Sequence, residues 1–173
     1  GGNLELIELH GEPNPAFPGF VQPEPIEANL RALQTAVREN GADAGIAFDG
    51  DADRVGLVDE NGRYISTLEG FSLLTHHLLE RRRQQGTVVS TITMSSMVDR
   101  LGEIYGIDTP RTAVGFKYVG PKMLETNAII GGEESGGYAF RGHIPERDGI
   151  LSGLLLLDYM VQSEKTDLCM QEH

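Results

Sequence analysis

The sequence predicts an α/β fold of two units with mixed, mostly parallel sheets flanked by helices. Three observations carry that expectation. Apolar residues recur at helical spacing in one stretch, a short buried run ends at an acidic loop, and strand-like and helix-like segments alternate from Thr87 to Ile130.

Taken in order, Leu4 to Leu9 alternates apolar and polar residues, and Gly11 to Pro25 holds five prolines and reads as a loop. Ile26, Leu30, Leu33 and Val37 follow at spacings of four, three and four, which places them on one helical face, and Asn40-Gly41 signals the end of that helix. Ala44 to Phe48 is a buried strand. Val55 to Val58 and Tyr64-Ile65 flank Asp59 to Arg63, a hairpin signal because Asn-Gly turns readily adopt positive φ. Phe71, Leu74 and Leu78 describe an amphipathic helix closed by Arg81-Arg82-Arg83, cations that suit its negative end. Then come a strand at Thr87 to Ile92, a helix at Met97 to Tyr105, a polar turn, a helix at Tyr118 to Leu124 and a strand at Ile129-Ile130. The apolar run Ile150 to Val161 is a buried helix, too short to span a bilayer. The boundary is expected near Ser66 to Glu69, giving units of residues 1–66 and 67–173.

Charge and composition exclude several functions. A formal net charge of -12 argues against attraction to nucleic acid or anionic lipid. No apolar segment is long enough for a membrane span and no signal-peptide core opens the chain. The single Cys169 makes no internal disulfide and no thiolate cluster, which suits a reducing compartment and makes the cytoplasm the expected location. The start at Gly1-Gly2, running directly into Asn3 to Leu9, reads like the middle of a fold, so the chain is expected to be a fragment.

The chemistry concentrates in Asp49-Gly50-Asp51-Ala52-Asp53-Arg54. Three aspartates at alternate positions turn toward one point if the backbone curls, and their mutual repulsion calls for a divalent cation. Oxygen-only donors favour magnesium, calcium or manganese over zinc, and the position after a buried strand is where α/β folds hold ligands. A calcium loop of EF-hand type competes, with Asp49, Asp51, Asp53 and Glu60 at positions one, three, five and twelve; Arg54 then stands where that loop needs glycine. A solvated acidic turn is the third reading. Arg54 offers a second positive group to an incoming phosphate.

A second constellation is Gly131-Gly132-Glu133-Glu134-Ser135-Gly136-Gly137, a glycine-rich loop at the end of a strand. Its two glutamates would repel phosphate, whereas a carboxylate beside a serine suits paired sugar hydroxyls; an ordinary polar turn is the alternative. In Val114-Gly115-Phe116-Lys117, a glycine precedes an aromatic and a lysine able to move a proton if its pKa is lowered, although most lone lysines simply face solvent.

Together these segments resemble the α-D-phosphohexomutases, four-domain enzymes that isomerise sugar 1-phosphates and 6-phosphates. Asp49 to Arg54 looks like the metal loop at the end of the family's second domain, and Gly132 to Gly136 like the sugar-binding loop of its third. The resemblance implies that Asp49, Asp51 and Asp53 hold Mg2+ and that Arg54 contacts phosphate in a catalytic role. It implies that Glu133 and Ser135 accept hexose hydroxyls, and that Gly115 and Lys117 lie in the loop that adjusts to substrate orientation. The partners implied are a phosphorylated hexose and the remaining domains of a parent enzyme. The double glutamate and Gly137, where several relatives carry histidine, are similar to the glucose-type branch more than to the phosphoglucosamine or dual mannose/glucose branches.

Two departures limit what the chain can do alone. The family's phosphorylated serine lies in a Ser-His-Asn run, which this sequence lacks; Ser95-Ser96 does not resemble it. The Ser-Gly-Thr phosphate anchor of the fourth domain is absent as well. The expectation is a catalytically incompetent piece of a phosphoserine enzyme that binds magnesium weakly by itself. A free-standing metal or sugar module and a phosphatase with an aspartate nucleophile are the competing classes.

Overall fold

The proline-rich start leads into a helix one turn later than the apolar period suggests. In the computed structural model, which describes residues 4–163, Gly1-Gly2 and Cys169 lie outside the described residues. Leu4 to Leu9, for all its alternating sequence, forms no strand: every residue in it is exposed and it pairs with no strand among the described residues. Asn29 donates its side-chain amide to the carbonyls of Gln22 and Glu24, which ties a 3-10 turn at Glu27–Asn29 to the loop. Helix α1 (Arg31–Asn40) begins only after that turn and stops at Gly41, whose φ of 60° is a left-handed cap.

Strands β1 (Ala44–Phe48), β2 (Val55–Asp59) and β3 (Tyr64–Ile65) form a sheet in that order, antiparallel throughout. The parallel character expected of both units is therefore confined to the second, for a geometric reason. Residues 49–54 and 60–63 are connections too short for a parallel crossover. In the hairpin, the Asp59 carboxylate accepts from the backbone N–H groups of Asn61 and Arg63 and from Arg63 Nε, while Gly62 takes the positive φ.

Helix α2 (Thr67–His76) opens with a reciprocal cap in which Ser66 and Glu69 satisfy each other's backbone N–H groups. It continues into one π turn at His77–Arg81. The three arginines at its end are exposed, and Arg82 Nη2 pairs with Asp158 Oδ2 at 2.7 Å. Strand β4 (Val88–Thr91), helix α3 (Met97–Tyr105), strand β5 (Arg111–Thr112), helix α4 (Phe116–Thr126), strands β6 (Ile130–Gly132) and β7 (Tyr138–Phe140) and helix α5 (Gly149–Ser163) complete the described chain. The second sheet has the order β5-β4-β6-β7, with β4 parallel to both neighbours and β7 antiparallel to β6. Strands β5 and β7 were not expected.

One core joins the two sheets. Val55, Leu57 and Ile65 from the first pack in the same buried cluster as Phe71, Leu74, Val88, Ile130, Tyr138 and Leu156. The Tyr138 hydroxyl donates to the Thr67 carbonyl at 2.5 Å, at the start of α2. No helix of the described residues is long and apolar enough to cross a membrane.

Candidate metal centre

The acidic loop lies between β1 and β2, and its curl comes from the backbone. Ala52 adopts a φ of 58° and its N–H donates to the Asp49 carbonyl, so alternate side chains converge. One carboxylate oxygen each from Asp49, Asp51 and Asp53 lies within 4.8 Å of the others. The donor set is all oxygen and fits a hard divalent ion. Both flanks are strands, and the metal-capable group does not include Glu60, which argues against the EF-hand reading.

Arginines balance the charge. Asp49 accepts from Arg54 Nε at 2.5 Å and from the Arg54 backbone N–H at 3.1 Å, and Arg54 Nη1 reaches Glu24 at 2.9 Å. Asp53 lies 2.5 Å from Arg147 Nη2 and 3.7 Å from Arg54 Nε. Burial pushes the Asp49 carboxyl up, but the side-chain and backbone hydrogen bonds from Arg54 outweigh it and hold the group below its ordinary value. Burial also dominates at Asp53, whose pKa is raised to about 6; Arg147 opposes that rise, while the hydrogen bond that protonated Asp53 donates to Asp49 and the charges of Asp49 and Asp51 add to it. Without a cation, neighbouring carboxylates do not all ionise comfortably.

The glycine-rich segment is joined directly to this loop. Gly131 and Gly132 belong to β6, so the turn itself is Glu133 to Gly137 at the head of the β6-β7 hairpin. Arg54 and Gly137 form an antiparallel bridge, and the Val55 N–H donates to the Gly136 carbonyl at 3.1 Å. Two constellations separate in sequence thus share one backbone frame. Gly149 completes it: its N–H donates to the Ala52 carbonyl at 2.9 Å, and a side chain there would strike the backbone oxygens of Ala52 and Arg54.

Glu133 is buried, and its Oε2 faces Arg147 Nη1 at 3.5 Å. Burial raises its pKa; Arg147 and a hydrogen bond from the Gly115 backbone oppose the rise, and Glu134 adds to it. Gly115 therefore sits against Glu133, at the N-cap of α4 with φ 121°. Glu134 points elsewhere. Its carboxylate accepts from Thr91 Oγ1 at 2.8 Å and its carbonyl from Thr67 Oγ1 at 2.5 Å. Burial would raise the Glu134 pKa, but the hydrogen bonds from Thr93 and Thr91 lower it. Ser135 is half-buried at the tip of the turn. Lys117 is exposed with its ammonium 5.1 Å from the Tyr118 ring, and no polar contact among the described residues joins it to the aspartates or Glu133.

Sequence reasoning missed Arg147. It reaches Asp53 and Glu133 at once and lies 5.8 Å over the Phe116 ring. Its only local signal is the Glu-Arg-Asp-Gly run before the last helix, which looks like an ordinary polar turn.

Comparison with known proteins agrees with this geometry. The family model described as phosphoglucomutase/phosphomannomutase, alpha/beta/alpha domain III matches residues 69–171, and the corresponding domain II model matches residues 1–62. A phosphoglucomutase/phosphomannomutase of Thermococcus kodakarensis is 37% identical over 161 residues, covering 93% of this chain and 35% of the relative. A phosphoglucosamine mutase of Acetivibrio thermocellus is 40% identical over 141 residues, covering 79% of this chain and 31% of the relative. Among solved structures, a Thermus thermophilus protein provisionally named a phosphomannomutase superposes with a TM-score of 0.79 at 38% identity, over 84% of this chain and 33% of that one. The chain thus spans about a third of the length of the curated relatives it matches. With a matched third-domain model covering more than half its residues, and the acidic and glycine loops framed together, this chain belongs to the phosphoglucomutase/phosphomannomutase family.

Proposed function

We propose that this chain is the metal-holding and sugar-contacting part of a phosphohexomutase that interconverts glucose 1-phosphate and glucose 6-phosphate through a phosphoserine and a bisphosphorylated sugar. The observation that carries the reading is the bridge between Arg54 and Gly137, which sets the aspartate triad and Glu133 on two sides of Arg147 in one frame. Residues 1–66 form the end of one domain and 67–173 a second. The parent is cytoplasmic.

Asp49, Asp51 and Asp53 hold Mg2+, which when bound supplies positive charge where the transferring phosphoryl group gathers negative charge. Arg54, anchored by Asp49 and Glu24, presents its remaining N–H groups to phosphate. Glu133 accepts hexose hydroxyls beside Ser135, and Gly115 supports Glu133 through its backbone. Lys117 stands on the adjoining helix turn and orients substrate from there. The serine nucleophile comes from the rest of the parent enzyme, so the chain alone turns nothing over.

Phosphoglucosamine is the second reading of the substrate. The glucose assignment leans on a double glutamate, and Glu134 is turned to Thr91 and Thr67, leaving one carboxylate for the sugar. The Acetivibrio relative carries the phosphoglucosamine name. Assaying the full-length parent with the 1-phosphates of glucose, glucosamine and mannose decides the matter. The highest kcat/KM is expected on glucose 1-phosphate, and no mutase turnover on any of the three sinks the proposal.

The pKa of about 6 at Asp53 gives a second expectation. A divalent ion needs the ionised carboxylate, and protons compete below that value. The affinity of the chain for Mg2+ falls about tenfold between pH 7 and pH 5. Calorimetric titrations at the two values check this, and a flat profile contradicts it.

A further inference from the structure

Arg147 occupies a position that neither metal binding nor sugar binding by itself explains. The terminal nitrogens of its guanidinium are shared between Asp53 Oδ2 at 2.5 Å and Glu133 Oε2 at 3.5 Å, while its Nε faces the neighbouring Glu146. The nearer carboxylate belongs to the metal loop and the farther one to the sugar turn. Arg54 is held differently, because Asp49 and Glu24 grip both its Nε and Nη1 and its own backbone N–H is committed to Asp49. Arg147 has three supports independent of Asp53, namely Glu133, Glu146 and the Phe116 ring.

The chain around Arg147 is built to keep it there. Asp148 caps the first turn of α5 through the Leu151 N–H, and the Gly149 N–H is fixed to Ala52, so the backbone at Arg147 is pinned against the metal loop. Its aliphatic stem runs through the space a side chain at Gly137 would fill. With the stem pinned and Nε beside Glu146, the two terminal nitrogens keep two pairings within reach, Asp53 and Glu133, and their balance depends on the charge near Asp53.

We infer that Arg147 is a resident counter-cation of the metal loop, displaced from Asp53 by a divalent ion and then paired fully with Glu133. Filling the metal loop thereby orders the hydroxyl-gripping side of the cleft. The inference rests on the metal reading of the triad. It makes Arg147 a positioning residue that couples two loops, with an apparent metal affinity reduced by the competition.

The test uses the 173-residue chain, titrated with Mg2+ and with Mn2+ by calorimetry as wild type, Arg147→Met and Arg147→Lys. Removing the competing charge is expected to tighten ion binding by about tenfold in Arg147→Met. Lysine keeps the charge but cannot bridge two carboxylates, so its variant falls between. The 15Nε resonance of Arg147 in the wild type shifts on Mg2+ addition. In chelator, Arg147→Met melts below the wild type, and the difference closes at saturating Mg2+. Equal or weaker ion binding by a folded Arg147→Met, or an unmoved 15Nε resonance, overturns the inference while leaving the metal reading intact. If Arg147→Met fails to fold, the lysine variant and the wild-type resonance decide. Absence of ion binding in the wild type and both variants removes the metal reading and this inference together, whereas binding seen only in Arg147→Met supports both.

Discussion

Asp51→Asn lowers the affinity of this chain for Mg2+ by at least ~100-fold, beyond the loss typical of outer-shell partners. Asp51 is exposed and makes no side-chain hydrogen bond among the described residues, so the proposed ligand role is the one its substitution tests. Asparagine keeps the shape and one acceptor oxygen but removes a full charge from a hard-ion site. Folding is untouched: the stability of the cation-free chain stays within about 0.5 kcal/mol of wild type, as for surface substitutions generally. The contrast with Asp49 is instructive, because Asp49 also holds Arg54 through two hydrogen bonds, and its loss disturbs the loop as well as the ion. In the full-length parent, Asp51→Asn reduces kcat by about 10^3, in line with the loss of a major stabiliser of transition-state charge. Calorimetry and thermal unfolding on the chain, with single-substrate kinetics on the parent, check each part. Ion binding as tight as wild type in the asparagine variant would falsify the assignment of the triad.

The aspartate loop was legible in the sequence because its chemistry is local. Three carboxylates in five residues admit few explanations, whereas the strand before them, expected to be buried, is mostly part-exposed and pairs antiparallel. Helix α1 was legible for the same reason, through a 3.6-residue period that needs no tertiary information. What escaped was set by distant partners. Strands β5 and β7 are two and three residues long, and their identity comes from pairing with β4 and β6. Leu4 to Leu9 has a strand's alternation in sequence, and without a pairing strand among the described residues it forms no strand. Glu134 stands beside Glu133 in sequence, yet its carboxylate is taken by the Thr91 hydroxyl and its carbonyl by that of Thr67. Arg147 lies far along the chain from Asp53, and no spacing rule joins them.

Phe71→Ala destabilises the whole chain by about 3–5 kcal/mol, the range for removing a buried phenyl ring. Phe71 is fully buried, with its ring centroid 5.4 Å from that of Tyr138, and its edge fills the space beside Gly132 where no side chain fits. It belongs to a cluster that draws Val55, Leu57 and Ile65 from the antiparallel sheet and Val88, Ile130 and Leu156 from the mixed sheet and α5. A cavity there removes contacts from both sides, so the two units lose stability together. Urea unfolding should remain a single transition with the same midpoint for amide exchange probes in β2 and in β4, shifted to lower urea by the substitution. Separate midpoints, with only the β4 probes responding, would show that the units fold independently. The shared core bears on the site as well. Phe71 packs against Gly132, the residue before Glu133, and shares its buried cluster with Val55, the residue after Arg54. That shared packing links the aspartate triad to the Glu133 turn, between which Arg147 reaches.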